Sequence, residues 1–490
     1  MFGFSCITLF LASLAQPQQA TPTELLEQIR AAGSKAPAAL FDSLAKQRTP
    51  EAWKAYQSAL GSMRNKDTIC RAYASIKFFN GASDVQDSAV EYLAEAALES
   101  NEKTALHAVL RLGELWPACQ DELIDLALKH ATSDGRSVAM MHLVEHGSLF
   151  TPKQISKLSK SKEVEIRFEA KLATLHTPAD DDVAIAKKVA KFASSSDVAE
   201  RLAAVEFLRV STTLKRFDIL RAKLNDKDPR VNRKCLDVLE HTRAAEAVGI
   251  LIDRLEVADV GEAHRTAEAL RRLTEMSFGT DPRGWKHWWK IEADRFQFNG
   301  ERDISVSMVD ADPNGTASFY GMTITAQHLV FAIDTSDSMK ADAGGTDGLT
   351  RLEVARKQVS QAIKDLPKNS SFDIVNFGKS AWSWNGKLVA AKAKSKTKSL
   401  GHVKGLKMSW GTEAYKALRE AFVDPRADTI LLLTDGDPQL SLMQDRAVMR
   451  RIIIQWNRTR HTTIDCITIG TDRGWLRKIA MATGGRYKQV

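Results

Sequence analysis

The sequence is poor in cysteine: its 490 residues contain five, and no two of them form a CxxC pair. Structural zinc sites draw on closely spaced Cys and His ligands, so this scarcity argues against a zinc-stabilised fold. Beyond the N-terminal segment, the chain has only the widely separated Cys70, Cys119, Cys235 and Cys466. Buried free thiols are the simpler interpretation, and a disulfide between two of them in an oxidising compartment is the alternative.

The chain also lacks the short motifs that identify several classes of enzyme. It contains no Gly-x-Ser-x-Gly elbow, no HExxH pair and no phosphate-binding P-loop. No nucleic-acid-binding motif is present, and the densest basic cluster, residues 392–398, is not interleaved with aromatic residues. Since the net charge is only +8, we interpret that cluster as a solvated helix face and expect no nucleic-acid partner.

No apolar run is long enough to cross a bilayer as a helix, so we expect no membrane span in the mature chain. Residues 2–14 are mostly apolar, and Ser13-Leu-Ala15 offers the small-x-small pattern of a signal-peptidase site. A signal peptide at residues 1–15 is therefore predicted, and with it a periplasmic, envelope-associated or secreted protein. The segment contains no Lys or Arg, so an ordinary apolar N terminus is the alternative.

Residues 21–276 have apolar side chains at three- and four-residue spacing, which predicts helices almost throughout. Within them Arg167, Arg201, Lys234 and Arg265 each stand near the start of a helix, at intervals of 34, 33 and 31 residues (201−167, 234−201, 265−234). A period in the thirties with two helices per unit predicts a solenoid. These segments resemble HEAT repeats, which implies a curved scaffold or binding surface. A spacer that stabilises its neighbour is the alternative.

Residues 277–325 are expected to connect this helical domain to the next one. Trp285, Trp288 and Trp289 fall on one face of a short helix. We expect them to pack against the end of the solenoid, and a binding patch or a membrane-interface anchor is the alternative. Two short strands are expected further on, at residues 304–309 and 319–325.

The last third of the chain alternates strands with helices, which predicts an α/β domain with a doubly wound, mostly parallel sheet. Two wholly apolar runs, residues 328–333 and 429–433, are typical of strands buried on both faces. An amphipathic helix is expected at residues 351–366. The other expected strands are 372–377, 463–469 and 487–490, with an edge strand at 387–389; the other helices lie around 396 and at 414–422, 446–457 and 475–482.

Each of the two apolar strands ends at a carboxylate, Asp334 or Asp435. Open α/β sheets bind ligands at the carboxyl ends of their strands, and two carboxylates repel unless a cation lies between them or one is protonated. Ser336 and Ser338 follow the first carboxylate, and Thr412 begins a helix after a further loop. Three loops thus offer five oxygen-bearing side chains, a donor set that suits Mg²⁺.

The pattern Asp334-x-Ser336-x-Ser338, Thr412 and Asp435-Gly436 resembles the metal-ion-dependent adhesion site of the von Willebrand factor type A (VWA) domain. The resemblance covers residues 326–490. It implies a metal site formed by these five residues around Mg²⁺, or Mn²⁺ or Ca²⁺, with one open coordination position. The resemblance also implies a protein partner whose Asp or Glu side chain fills that position.

Two residues depart from the family's pattern. Asp337 stands where a glycine is common, and Trp410 precedes Gly411-Thr412 where another glycine is usual. Neither change removes a ligand, and we assign both residues to the partner-binding surface as a hypothesis. A degenerate, metal-free domain is the alternative.

We therefore expect a non-enzymatic binding protein in which a VWA domain at residues 326–490 follows the helical domain. One alternative is a structural scaffold whose repeats bind the partner. The other is a Mg²⁺-dependent phosphotransferase of the haloacid-dehalogenase kind. That chemistry requires a second aspartate two residues after the first, where this chain has Ser336.

Overall fold

The computed structural model describes residues 20–147, 150–176, 182–211, 215–298, 317–344, 348–439, 441–471 and 473–490. The expected signal peptide and the expected strand at 304–309 lie outside these residues. The chain divides into two compact units, Met1–Ala139 and Met140–Val490. That division falls inside residues 21–276, and the sequence-based domain boundaries stay predictions.

The first unit is helical throughout its described part. Its helices are α1 Pro22–Ala32, α2 Ala38–Ala45, α3 Pro50–Ser62, α4 Lys66–Tyr73, α5 Gln86–Ala96, α6 Glu102–Leu112 and α7 Gln120–Lys129, and α8 Ser133–Glu145 crosses its boundary. The start of α3 shows why the sequence places helices here: the Thr49 side chain accepts a hydrogen bond from Ala52 N, and Pro50 occupies the first turn. Phe41, Tyr56 and Phe79 are fully buried in the core.

The second unit begins with a helical solenoid. Its helices are α9 Pro152–Leu158, α10 Val164–His176, α11 Asp182–Ala193, α12 Val198–Phe207, α13 Arg216–Lys223, α14 Pro229–Thr242, α15 Ala245–Leu255, α16 Val260–Thr274 and α17 Pro282–Glu292. The repeated basic residues link successive repeats. Arg167 donates to both carboxylate oxygens of Asp197, the N-cap of α12, at 3.1 Å each. Arg201 donates in the same way to Asp226, with a shortest distance of 2.9 Å.

The tryptophan-rich segment packs on the solenoid, as expected. Trp285 is fully buried in the same core as Leu270 and Leu273 of α16, and its indole N–H donates to the Gly279 carbonyl at 2.8 Å. Among the described residues, no helix is both long and apolar enough to cross a bilayer.

A short hairpin precedes the large sheet. It consists of β1 Ser318–Phe319 and β2 Met322–Thr323, which pair antiparallel. The single strand expected at 319–325 is therefore wrong. Tyr320 and Gly321 both adopt positive φ, 50° and 73°, and this turn reverses the chain in the middle of the apolar run.

The large sheet has seven strands, β3 His328–Asp334, β4 Ser371–Phe377, β5 Ala381–Ser383, β6 Val389–Ala390, β7 Thr429–Thr434, β8 Thr463–Thr468 and β9 Tyr487–Gln489. Their order is β5-β4-β3-β7-β8-β9, and β6 also pairs with β4. The pairs among β4, β3, β7, β8 and β9 are parallel, whereas β5 and β6 run antiparallel to β4. The helices of this region are α18 Arg351–Asp365, α19 Ala393–Lys404, α20 Ala414–Ala421, α21 Arg446–Arg460 and α22 Gly474–Ala482.

The predicted α/β fold is confirmed, and the expected helices and strands of this region lie close to their predicted positions. The expected edge strand at 387–389 begins two residues later, as β6. Strand β5 was not predicted from the sequence. It has three residues and lies at the edge of the sheet, where it pairs with β4.

Helix α21 packs directly against the solenoid helices of the second unit. Arg458 donates two hydrogen bonds, of 2.5 and 3.0 Å, to Glu169 of α10, a residue only 5% exposed. Arg460 forms an ion pair with Glu165 of α10 at 2.9 Å. Arg233 of α14 donates to the backbone carbonyl of Arg460 at 2.8 Å. The contact is therefore buried and charge-paired.

Candidate metal centre

The register of the sheet brings the two strand-ending carboxylates to one edge. Strands β3 and β7 are adjacent and parallel, with Ile333 opposite Leu433. Asp334 and Asp435 consequently emerge within one residue of each other at the carboxyl end of the sheet. Both strands are buried on both faces, as their apolar sequences indicate.

Asp334 is completely buried and accepts hydrogen bonds from the loop that follows it and from the last residue of β7. One carboxylate oxygen accepts the Ser336 backbone N–H at 2.7 Å, and the other accepts the Thr434 hydroxyl. Burial raises the pKa of Asp334 to about 7, because desolvation outweighs these hydrogen bonds and the nearby Asp435 adds repulsion. A cation at this edge would favour the ionised carboxylate.

The two serines of the first loop form a chain of hydrogen bonds that ends at Asp435. Ser336 Oγ lies 2.9 Å from Ser338 Oγ, and Ser338 Oγ donates to Asp435 Oδ1 at 2.6 Å. Ser336 is buried, whereas Ser338 is exposed. This hydrogen-bonded group is therefore buried at Ser336 and Asp435 and accessible to solvent at Ser338.

Thr412 approaches this group of residues from the loop before α20. A Cβ built on Gly436 would lie 3.6 Å from Thr412 Oγ1 and 3.8 Å from Ser338 Oγ. The hydroxyls of two separate loops therefore approach the same face of Gly436, where a side chain would contact both of them. The Thr412 backbone N–H donates to the Gln439 carbonyl at 2.9 Å, which ties this loop to the one after β7.

The structure thus brings together Ser336, Ser338, Thr412 and Asp435, with Asp334 attached through the Ser336 backbone. The donors are all oxygen atoms, two carboxylates and three hydroxyls from three loops, and this chemistry fits a hard divalent cation. Among the described residues, no group of three or more His, Cys, Asp or Glu side chains could hold a metal ion. A cation at this edge would therefore depend on the hydroxyls as well as on the carboxylates.

The ion pair between Arg351 and Asp435 was not predicted from the sequence. As the first residue of α18, it places Nη1 2.7 Å from Asp435 Oδ2, the oxygen that Ser338 does not use. A second arginine, Arg473, donates to the Asp435 backbone carbonyl at 3.0 Å. The sequence marks Arg351 only as a helix start, because its partner is 84 residues away.

The two residues that depart from the family's pattern lie on the rim of this edge. Asp337 is exposed and lies between the two serines, at the start of the 3-10 turn Asp337–Lys340. The Trp410 side chain is 51% exposed, and Lys379 Nζ lies 5.1 Å from the centre of its ring, within the range of a cation–π contact. Neither residue contacts the hydroxyl cluster through a described hydrogen bond.

All four cysteines in the described part of the chain are buried and unpaired. Burial raises the pKa of Cys70 and of Cys119 to about 12, so both are held as thiols. The interpretation as buried free thiols is confirmed for these positions.

Residues 327–489 match the family model described as von Willebrand factor type A domain. Human inter-alpha-trypsin inhibitor heavy chain H4 is 23% identical over 212 residues, a match that covers 40% of this chain and 22% of that protein. Human von Willebrand factor A domain-containing protein 3B is 25% identical over 179 residues, covering 36% of this chain and 12% of that protein. The chain therefore spans less than a quarter of the length of either relative.

Among solved structures, an aerotolerance-related membrane protein from Bacteroides fragilis overlaps 34% of this chain and 92% of its own. The TM-score is 0.27 and the sequence identity is 16%.

Proposed function

We propose that the von Willebrand factor type A domain at residues 327–489 binds a protein partner through a divalent cation and carries out no catalysis. The cation, Mg²⁺ or alternatively Mn²⁺ or Ca²⁺, would be held by Asp334, Ser336, Ser338, Thr412 and Asp435. The single observation that carries this proposal is that hydroxyls from two loops, those of Ser338 and Thr412, approach the same face of Gly436, and that the Ser338 hydroxyl donates to the Asp435 carboxylate.

The hydrogen bonds support different roles for the hydroxyl and carboxylate ligands of the site. Ser338 donates its proton to Asp435 and accepts the hydrogen bond from Ser336, so one lone pair of its oxygen remains available to a cation. Ser336 and Thr412 would supply further neutral oxygens, and the two aspartates would supply negative charge. Because Ser338 is exposed, one side of the cation would remain open to an Asp or Glu side chain of the partner.

The rim supports a partner segment that is acidic and partly apolar. Trp410 offers an exposed indole beside the Thr412 loop, and the Lys379 ammonium above its ring provides positive charge. Asp337 adds one negative charge on the other side, between the two ligand serines. A partner with a carboxylate for the cation and an apolar residue for Trp410 would suit this arrangement.

The experiment is capture of the partner from native envelope extract by the full chain, with Mg²⁺ and with EDTA. Capture should occur only with Mg²⁺, and Asp334→Ala should abolish it while circular dichroism shows an intact fold. Equal capture in EDTA by the Asp334→Ala variant would contradict the proposal.

A second candidate is a scaffold whose repeats bind the partner. It is supported by a groove of about 570 Å³ between α13, α15 and α17, lined among others by Phe217, Gly249 and Trp289. Capture that persists in EDTA but is lost in Trp289→Ala would favour this function.

We also propose that the protein is exported, on the basis of the apolar segment at residues 2–14 and the small-x-small pattern that ends at Ala15. N-terminal sequencing of the mature protein tests this. Cleavage after Ala15 is expected, and a mature chain that retains residues 1–15 would contradict it.

A further inference from the structure

Arg351 occupies a position built into the second unit beside the proposed cation site. Its backbone N–H donates to the Ala341 carbonyl at 2.9 Å, which fixes the start of α18 behind the serine loop. A Cβ built on Gly470 would lie 2.9 Å from Arg351 Nη2, so a larger residue at 470 would displace the guanidinium. Gly470 has φ 82°, a backbone conformation that glycine adopts without strain.

The guanidinium is directed specifically at Asp435. Nη1 lies 2.7 Å from Asp435 Oδ2, and the Asp435 side chain is fully buried. Arg351 Nε is buried and has no hydrogen-bond partner among the described residues. The ion pair with Asp435 is therefore the main polar contact of this side chain, and its charge stays close to the site.

The formal charges of four other groups at this edge, Asp337, Asp437, Arg446 and Arg473, sum to zero. Asp437 pairs with Arg446 at 2.9 Å and with Arg473 at 3.4 Å. Asp337 is exposed and therefore solvated. The charge that a cation meets is set mainly by Asp334, Asp435 and Arg351.

The formal charges of Asp334, Asp435 and Arg351 indicate how Arg351 affects the site. With both carboxylates ionised, the three groups sum to a single negative charge, and a divalent cation makes the sum a single positive charge. Without Arg351, two negative charges and a divalent cation would sum to zero. Positive charge near a cation weakens its binding, and the same charge attracts an incoming anion.

We propose that Arg351 sets the charge balance of this site: it weakens the binding of the divalent cation and leaves the loaded site positive, which strengthens its hold on a partner carboxylate. This inference rests on the proposed function, because it assumes that the cation binds at this edge. Arg351 acts here as a positioning and charge-setting residue.

Arg351→Gln in the full chain tests the inference, and Arg351→Lys is the matched control that keeps the charge. Mg²⁺ alone is titrated calorimetrically into chelator-treated protein. Since the removed charge lies 2.7 Å from a carboxylate oxygen of the proposed ligand Asp435, Arg351→Gln should bind Mg²⁺ about tenfold tighter than wild type, and Arg351→Lys should stay within about twofold. Equal or weaker Mg²⁺ binding by Arg351→Gln would overturn the inference.

Acetate then serves as the carboxylate probe, added to Mg²⁺-saturated protein against sodium chloride of equal ionic strength. The rise in unfolding temperature with acetate should be present in wild type and Arg351→Lys and lost in Arg351→Gln. An unchanged response in Arg351→Gln would overturn the inference. Arg351→Met removes the same charge and replaces Arg351→Gln in both measurements if that variant does not fold. Wild type that binds no Mg²⁺ would instead refute the proposed function itself.

Discussion

The Ser338 hydroxyl donates its proton to Asp435 Oδ1 across 2.6 Å, and this hydrogen bond joins the loops after β3 and β7. The second oxygen of Asp435 is occupied by Arg351. One buried carboxylate is thus shared between a neutral hydroxyl that could ligate a cation and a cationic side chain that could not. The same aspartate therefore links the proposed metal site to the residue that sets its charge.

The first prediction concerns pH. The folded-state pKa of Asp334 is about 7, above the ordinary value of 3.8, so the native protein retains a proton that the unfolded chain releases. This contribution to stability is fully present below pH 3.8 and is lost as pH rises through about 7. Without divalent cations, the free energy of unfolding should therefore fall between pH 5 and pH 8, by a few kcal/mol at most.

Urea unfolding in EDTA at pH 5 and pH 8 measures this dependence, with Asp334→Asn as the matched variant. The asparagine cannot titrate, so the variant should show a much smaller fall over the same interval. Identical pH dependence in the two proteins would show that Asp334 is not the group responsible.

The second prediction concerns the contact between α21 and the solenoid. Arg458→Met leaves the buried Glu169 carboxylate without its guanidinium partner, and breaking a buried pair in this way typically costs about 3–5 kcal/mol. Arg451→Gln is the control: its ion pair with Glu145 has side chains 32% and 37% exposed, and such pairs contribute about 1 kcal/mol or less. Equal losses of unfolding free energy would contradict the distinction.

The third prediction separates the rim from the metal site. Trp410→Ala should leave the free energy of unfolding nearly unchanged, because the side chain is half exposed. The Mg²⁺ affinity should also stay nearly unchanged, because Trp410 makes no described hydrogen bond to the hydroxyl cluster. Partner capture should be reduced. Trp382→Ala is a close control, since Trp382 is also 51% exposed but lies on β5. Equal effects of the two changes on capture would remove Trp410 from the partner-binding surface.

Much of the α/β fold was predictable because its strands are apolar over their whole length. Residues 328–333 and 429–433 are apolar throughout and short, which favours strands buried in a sheet, and the aspartates that follow them mark the edge of the sheet where the cation is proposed to bind. The spacing of Arg167 and Arg201 predicted the repeats for a physical reason that the structure supplies: each arginine binds the loop before the next repeat.

The features that the sequence could not reveal depend on long-range contacts. Tyr320–Gly321 makes a turn inside a run that otherwise favours a strand. The pairing of Arg351 with Asp435, and of Glu169 with Arg458, joins residues 84 and 289 positions apart. Such contacts cannot be predicted from the spacing of residues along the chain. One of them, the pairing of Arg351 with Asp435, places a positive charge at the candidate site that the sequence motif does not include.

The most direct test of the proposed cation site is calorimetric titration of Mg²⁺ into the chelator-treated full chain, compared with Ser338→Ala. Thr397→Ala is the matched control, because it deletes an exposed hydroxyl on α19 whose only described bond is to the Ala393 carbonyl. Wild type and the control should bind one Mg²⁺ per chain, and Ser338→Ala should bind it about tenfold or more weakly. No binding by wild type, or equal binding by Ser338→Ala, would contradict the account.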